Sequence, residues 1–149
     1  MNTRQRGALR ACGADLAAHC INDVLTTGAD PLILLDYVAA NRIELEQVAE
    51  LVEGAAEVCR EAGVALVGGE TAELPGIYRD NELDFAGTCV GLVDRDRLID
   101  GSAIRAGDVV VGFPSAGVHA NGFTLVRRVL EEEDYAGDDL LAPTRLYVD

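Results

Sequence analysis

The sequence GGETAELPG at residues 68–76 follows a short apolar run, VALV, at residues 64–67. The run predicts a buried strand, and the glycine pair together with the later Pro-Gly pair predicts a backbone turn after it. Glu70 and Glu73 would stand on that turn, and carboxylates are hard oxygen ligands for a divalent cation. Adjacent glycines also allow a ligand to approach the backbone closely. The stretch therefore predicts a strand followed by a metal and phosphate site.

The polar side chains of this stretch differ in what they indicate. Glu70 directly follows two glycines, where a glutamate has little packing role, so it is the strongest candidate for a metal ligand. Thr71 could donate its hydroxyl to a phosphate, and a hydrogen bond to its own backbone at a turn is an equally good interpretation. Glu73 is expected to support the site indirectly at most.

A second segment, DVLTTGADP at residues 23–31, has the form D-x-x-x-x-G-A-x-P where a helix gives way to a strand. Gly28 is a natural helix stop, and Gly28 with Ala29 would let a ligand come close to the backbone. Asp23 lies on the helix, where an aspartate is commonly just exposed to water, so its spacing alone leaves a functional and a solvated interpretation open.

The periodicity of the apolar residues predicts alternating helices and strands. Helical spacing with glycine stops, and short runs rich in β-branched residues, are the signals. Helices are expected at residues 15–27, 44–62 and 123–132, and strands at residues 32–38, 64–67, 83–93 and 109–113. This alternation indicates a single domain of α/β or α+β class, with helices packed on a sheet.

Composition excludes several functions. The chain has 149 residues, a formal net charge of -14 and no lysine, so it would repel nucleic acid and anionic membranes. Without lysine, a P-loop or a Schiff-base mechanism is impossible. No apolar run is long enough to span a bilayer, and residues 1–6 lack the apolar stretch of a signal peptide, which predicts a cytoplasmic protein. Acidic residues at 131–134 and 138–139 are expected to form a solvated helix end and a polar loop.

The four cysteines have no C-x-x-C spacing, so neither a zinc site nor a redox pair is indicated. Cys20 and Cys59 lie among apolar helix positions and are expected to be buried, reduced thiols.

Three further polar residues are candidates for a site. His119 lies in the small-residue loop SAGVHANG at residues 115–122, and loops on a rigid framework commonly carry function. Asn121, with backbone N–H groups near the start of the next helix, could bind phosphate oxygens. Asp36 is expected to end a buried strand, where it would be either a third carboxylate ligand or an acceptor for loop N–H groups. His19, on the first helix, is interpreted as structural.

The segments at residues 23–31 and 68–76 together resemble one family closely, the aminoimidazole ribonucleotide synthetases, also called phosphoribosylformylglycinamidine cyclo-ligases. Further matches are LDY at residues 35–37, the loop at residues 115–122 and LAPTRLYV at residues 141–148. The resemblance runs from about Gly13 to the last residue. It implies the N-terminal domain of that superfamily: a mixed sheet with helices on one face, whose sheets pair into a barrel in a homodimer.

The resemblance also implies a reaction and a set of roles. The reaction is ATP-dependent ring closure of formylglycinamidine ribonucleotide, with Mg²⁺. Asp23, Asp36 and Glu70 would bind the metal, and His119 and Asn121 would act on the substrate or its phosphates. The nucleotide would contact residues of both quoted segments: Asp23, Gly28, Ala29, Gly68, Gly69, Glu70 and Thr71.

Two departures from the family pattern bear on activity. A D-G-V-G-T-K segment is expected upstream of residue 1, and a C-terminal domain is expected after residues 145–148. Both are absent, so residues 1–149 are expected to form one partial N-terminal ATP-binding domain of a longer enzyme. The alternatives are another ATP-using member of the superfamily and a non-catalytic dimerising remnant.

Overall fold

The computed structural model describes residues 8–133 and 142–148. Its elements are α1 (Ala8–Leu25), β1 (Asp30–Ala40), α2 (Leu45–Ala62), β2 (Ala65–Glu73), β3 (Leu83–Leu92), a single 3₁₀ turn (Arg95–Arg97) and α3 (Phe123–Glu133). The described strands form one sheet in the order β2-β1-β3, with β1 parallel to β2 and antiparallel to β3. The expected mixed sheet with helices is confirmed. The interpretations of residues 1–6 and 138–139 lie outside the described residues.

The hydrophobic core lies between the sheet and the first two helices. Leu34 of β1 is fully buried against Ala17 and Ile21 of α1 and against Ala55 and Cys59 of α2. Burying a leucine or isoleucine side chain contributes roughly 1.5–3 kcal/mol, so this layer holds the helices on one face of the sheet. All four cysteines are free thiols, and burial raises the pKa of the Cys59 thiol to about 11. The expected burial is confirmed for Cys59, whereas Cys20 is only partly buried.

The two long helices cross with their backbones in direct contact. A Cβ atom added at Gly13 of α1 would lie 1.9 Å from the carbonyl oxygen of Leu51, and one added at Gly54 of α2 would lie 1.9 Å from that of Arg10. Each helix therefore presents a glycine where the other helix approaches. A glycine inside a helix lowers the stability of that helix by roughly 0.5–1 kcal/mol relative to alanine. Both glycines are needed here because any larger side chain would prevent the two backbones from meeting.

The pairing of β1 with β2 contains an irregularity. Leu34 is opposite Leu66, and Leu35 is opposite Gly68, so Val67 is an extra residue on β2. This is the geometry of a β-bulge. Leu34 and Leu66 contact the helical layer, so Leu35 and Gly68, one step further along, belong to the opposite, open face of the sheet.

The glycine-rich stretch at residues 68–73 is strand and not turn, so the predicted turn is wrong there. The strand that was expected to end at residue 67 continues to Glu73, because residues 68–73 pair with β1 along their whole length. The turn comes later, around Gly76, whose φ is 87°. Glycines weaken a strand but do not prevent it when a long neighbouring strand supplies the hydrogen bonds.

The strand expected at residues 109–113 is also wrong. In the described chain these residues have no strand pairing, and Val109, Val110 and Phe113 are 87%, 95% and 77% exposed. β-Branched residues favour a strand only where a neighbouring strand and a face to pack on are present.

The remaining element predictions are confirmed. Gly63 caps α2 in the left-handed conformation with φ 69°, and Gly28 follows α1 with φ 77°. The strand at β3 and the helix at α3 lie where the sequence places them. The first helix begins earlier than expected and is already helical at Ala8. No helix within the described ranges is long and apolar enough to cross a membrane.

Candidate functional site

Glu70 lies on the open face of the sheet. It is in the middle of β2, opposite Tyr37 of β1, and its side chain is exposed. Tyr37 is flanked along β1 by Asp36 and the fully buried Val38, and successive side chains on a strand point to opposite faces. The carboxylate of Glu70 is therefore accessible from the side of the sheet that the helices do not cover.

The two glycines that precede Glu70 have different roles. Gly68 has a φ of 142°, and a Cβ atom added there would meet nothing within 4 Å, so open space borders the backbone. At Gly69 an added Cβ would lie 2.0 Å from the carbonyl oxygen of Asp36, so this glycine permits close pairing of β1 and β2. Of the pair, Gly68 is the one at which a ligand could approach the chain.

The other acidic and hydroxyl groups of this stretch are placed apart from Glu70. Thr71 is opposite Val38 on the neighbouring strand, and its side chain is exposed at the sheet edge. Glu73 accepts a hydrogen bond from the backbone N–H of Ile43 at 2.9 Å, which ties the end of β2 to the chain before α2. Glu73 therefore has a structural contact.

Asp36 does not end its strand, and that expectation is wrong. It lies within β1 between Gly69 of β2 and Gly87 of β3, and the strand runs on to Ala40 because both neighbours continue to pair. An added Cβ at Gly87 would contact Leu16 of α1, so Asp36 belongs to the helix-covered face. Burial raises the pKa of the Asp36 carboxyl above its ordinary value.

Asp23 is exposed near the end of α1. Its side chain is 73% exposed, and its carboxylate lies 3.8 Å from Nε2 of His19, one turn earlier. Asp23 also borders a groove of about 460 Å³ between α1 and β3. The groove is lined mainly by small and apolar residues: Cys20, Asp23, Val24, Thr27, Ala29, Gly87, Cys89, Gly91 and Val93.

The space next to Gly28 is filled by residues 97–99 of the same chain and not left open for a ligand. An added Cβ would lie 3.1 Å from Cγ1 of Ile99 and 3.2 Å from the carbonyl oxygen of Arg97. The backbone N–H of Ile99 donates to the carbonyl of Thr27 at 2.9 Å. Ala29 is 7% exposed and packs into the core. The glycine thus allows residues 97–99 to pass close to the end of α1.

The three carboxylates proposed for the metal do not converge. Glu70 is on the open face of the sheet, Asp36 is on the helix-covered face, and Asp23 is on α1. Across residues 8–133 and 142–148, no group of three or more His, Cys, Asp or Glu side chains is placed to hold a metal ion. This donor set does not fit one Mg²⁺ ion, because such sites combine several oxygen ligands around one point.

His119 is held in its loop by backbone donors. Its φ is 54°, and its Nε2 accepts hydrogen bonds from the backbone N–H of Ala116 at 3.0 Å and of Arg145 at 3.4 Å. Its ring centroid lies 6.4 Å from that of Tyr147. Asn121 is exposed, just before α3. The structure therefore brings His119 to residues 142–148 and leaves Asn121 at the surface.

Sequence reasoning missed the residues that bind residues 142–148 to α1. The side chain of Asn22 bonds to the backbone at both Arg145 and Tyr147, and Asp15 bonds to Thr144. An Asn adjacent to the candidate Asp23 was the available signal. A polar residue on a helix gives no indication of which distant segment it contacts.

Solved structures with related folds define the class of protein first. Hydrogenase maturation protein HypE in complex with ATP superimposes with a TM-score of 0.54 at 26% identity, over 62% of this chain and 28% of HypE. Thiamine monophosphate kinase from Aquifex aeolicus has a TM-score of 0.60 at 20% identity, over 91% of this chain and 45% of the kinase. The latter likeness concerns the fold alone. This chain has the fold of that group.

The particular family follows from the sequence matches. The N-terminal domain model of the family described as AIR synthase related protein matches residues 3–93, and the chain belongs to this family. The C-terminal domain model of the same family matches residues 105–149, and this match begins well before Arg145, where the resemblance expects the boundary. The division of the chain into domains stays a prediction.

Two curated relatives carry the name phosphoribosylformylglycinamidine cyclo-ligase. The one from Nitrosococcus oceani is 52% identical over 146 residues, which are 91% of this chain and 41% of the relative. The one from Synechococcus sp. is 49% identical over 158 residues, with 98% of this chain and 46% of the relative covered. The chain thus spans less than half the length of these relatives.

Proposed function

We propose that this chain is part of a cyclo-ligase that closes formylglycinamidine ribonucleotide to aminoimidazole ribonucleotide, with ATP as the second substrate. One observation of the structure carries the proposal: Glu70 stands on the open face of the sheet beside Gly68, where the backbone borders free space. The name shared by relatives about half identical to the chain supports the reaction. The ATP in the HypE complex supports the nucleotide.

The ligand would approach from the open face of the sheet. Gly68 would allow a phosphate near the backbone. Thr71 lies opposite Val38 and so belongs to the other face, and its exposed hydroxyl would meet the ligand only around the free edge of β2. Glu70 would contact the ligand from the same strand. Asp23, Asp36 and Glu70 do not form one group that could hold a single Mg²⁺ ion. Asp23 and Glu70 are candidate ligands individually, since both are exposed.

The substrate end of the site would involve His119 and Asn121. His119 has its Nε2 engaged by two backbone N–H donors, so the other ring nitrogen is the one left to meet a substrate. The amide of Asn121 is exposed next to the N-terminus of α3, where backbone N–H groups favour phosphate oxygens. These two residues would orient the ribonucleotide and exchange a proton with it.

The assembly proposed for this enzyme is a homodimer formed through the open face of the sheet, in the cytoplasm. That face carries apolar side chains that one chain leaves exposed: Leu35, Val90 and Leu92. Exposed apolar side chains on one face of a sheet are typical of an interface.

The decisive experiment measures Mg²⁺-dependent ATP turnover with formylglycinamidine ribonucleotide, following both ADP and the aminoimidazole product. Glu70→Gln is expected to abolish product formation. The matched control is Glu53→Gln, which changes an exposed glutamate on α2 that pairs with Arg10 of α1 at 3.1 Å, and it should leave product formation unchanged. Equal activity of the two variants would remove Glu70 from the site.

A non-catalytic dimerising remnant is the second candidate, and the divergence of the three carboxylates favours it. The remnant would be a folded dimer without nucleotide affinity. Calorimetric titration with Mg-ATP separates the candidates, because a heat of binding that Glu70→Gln removes is expected only of the cyclo-ligase. A folded dimer that gives no heat of binding with Mg-ATP would support the non-catalytic remnant and exclude the cyclo-ligase.

A further inference from the structure

Helix α1 binds an extended segment of the same chain, residues 142–148, through two of its polar side chains. Nδ2 of Asn22 donates to the carbonyl of Arg145 at 2.8 Å, and Oδ1 of Asn22 accepts the backbone N–H of Tyr147 at 3.0 Å. One side-chain amide thus satisfies a carbonyl and an N–H two residues apart, as a neighbouring strand would. Because both ends of the amide are used, no other residue type satisfies this contact equally well.

A second contact lies two turns earlier on the same face of α1. Oδ1 of Asp15 accepts hydrogen bonds from both the backbone N–H and the hydroxyl of Thr144, at 2.5 and 2.6 Å. Thr144 is only 8% exposed. Leu146 and Val148, on the same segment, pack against the hydrophobic core. Two hydrogen bonds to one side-chain oxygen of Asp15 therefore hold the start of the segment on α1.

The segment in turn contacts the loop that carries His119. The backbone N–H of Arg145 donates to Nε2 of His119 at 3.4 Å, and the hydroxyl of Tyr147 donates to the carbonyl of Pro114 at 3.1 Å. Within the loop, the N–H of Ala116 donates to the same Nε2 at 3.0 Å. His119 therefore meets α1 through one intermediate segment, residues 142–148.

These contacts determine the state of the imidazole. A ring nitrogen that accepts hydrogen bonds carries no proton, so Nε2 is unprotonated and the proton of the neutral ring is on Nδ1. We propose that Asn22 and Asp15 are positioning residues, which hold residues 142–148 so that Nε2 of His119 remains the hydrogen-bond acceptor and the proton of the neutral ring lies on Nδ1. Nδ1–H is then the group that His119 presents to a ligand. The catalytic use of that group rests on the proposed function, whereas the tautomer does not.

The test is nuclear magnetic resonance of the ring nitrogens in ¹⁵N-histidine-labelled protein, without substrate, at a pH where both histidines are neutral. The chain has two histidines, so a His19→Gln background leaves His119 alone. The expected spectrum shows the proton of His119 on Nδ1. A wild-type spectrum with the proton on Nε2 would overturn the proposal.

Asn22→Leu tests the positioning, because leucine has a similar size and neither polar atom. It should mix the two tautomers of His119 and speed hydrogen exchange at the N–H of Tyr147 by about tenfold, as the loss of about one net hydrogen bond implies. Asn22→Asp, which keeps the acceptor for Tyr147, should restore part of the exchange protection. Gln47→Ala, which removes an exposed amide on α2 that bonds to Glu44, is the matched control and should change neither signal.

Thr144→Val keeps the proposal testable if Asn22→Leu does not fold, because it removes one hydroxyl from the same segment and should shift the tautomer in the same direction. An unchanged His119 spectrum in a folded variant whose Tyr147 N–H exchanges faster would overturn the proposal. If the wild-type protein shows the His119 proton on Nδ1 but has no cyclo-ligase activity, the proposed function is wrong and the proposed role of Asn22 and Asp15 is unaffected.

Discussion

Two regions of this molecule contain runs of branched apolar residues and place them in opposite environments. We call residues 8–92, from α1 to β3, the packed unit, and residues 104–113 the exposed segment. Leu34 in the packed unit is fully buried, whereas Val110 in the exposed segment is 95% exposed. Both lie in runs rich in branched apolar residues. The difference shows that such a run becomes a strand only when another part of the chain supplies hydrogen bonds and a surface to pack on.

The largest effect should come from the helix crossing in the packed unit. Gly54→Ala places a Cβ where the carbonyl oxygen of Arg10 is 1.9 Å away, and neither helix backbone can give way. We expect a loss of about 3 kcal/mol or more in the free energy of unfolding, measured by urea titration, at the upper end of overpacking effects. Gly112→Ala in the exposed segment, where an added Cβ meets nothing within 4 Å, is the matched control and should change it by less than about 0.5 kcal/mol.

The second largest difference should appear when one apolar side chain is truncated in each region and the losses in stability are compared. Leu34→Ala removes a fully buried side chain and should cost about 2–5 kcal/mol. Val110→Ala removes one that already contacts water and should cost less than about 0.5 kcal/mol. Equal losses in urea titrations of the two variants would show that residues 104–113 are packed in solution.

A smaller effect is expected from Asp36, a partly buried carboxyl inside the packed unit. Burial raises the pKa of Asp36 in the folded chain above the ordinary value of 3.8, so its contribution to stability is present below that value and is lost as the pH rises through the folded pKa. Asp36→Asn should therefore raise the thermal midpoint at neutral pH more than in acid.

The control for this pH dependence is Asp96→Asn, which changes an exposed carboxylate in the 3₁₀ turn. This variant should have a thermal midpoint close to that of the wild type, because the side chain of Asp96 is exposed. If Asp36→Asn behaves in the same way, the carboxyl of Asp36 is solvated and the helix-covered face is open at that point.

The smallest effect concerns thiol reactivity in the two regions. Cys59 is 2% exposed, and its burial raises the thiol pKa to about 11, so alkylation in native protein at mildly alkaline pH should be slow. A thiol introduced by Val110→Cys should react at once. Mass spectrometry of the alkylated peptides measures both rates in one sample, and fast labelling of Cys59 would indicate that the core opens locally.

Local signals were sufficient for the helices of the packed unit. Gly28 and Gly63 follow the first two helices as expected, because a helix stop depends on the conformation of one residue. The extension of β2 through Glu73 depends on pairing with β1, which lies some 30 positions earlier in the chain, and a window of sequence does not contain it. The same holds for residues 109–113, which do not form a strand because no neighbouring strand pairs with them in the described chain.

The candidate site shows the same division. The loop position of His119 follows from its immediate sequence. Glu70 is exposed as expected, but on a strand face that pairing with β1 determines and not on the expected turn. The separation of Asp36 from Glu70 depends on which face each occupies, and the contacts of Asn22 depend on a segment more than 120 positions away. The residue types of a site are thus visible in sequence, whereas their convergence is a property of the assembled chain.

The extra residue Val67 has one more consequence: it determines which face of the sheet each later residue of β2 occupies. If β1 and β2 paired without this irregularity, Val67 would lie opposite Leu35, and Glu70 would lie opposite Val38 in place of Tyr37. The carboxylate would then point into the apolar layer under the helices, and Gly69 would take its place on the outside. A single inserted residue thus sets the phase of the strand, and with it the side of the sheet on which the acidic group can meet a ligand.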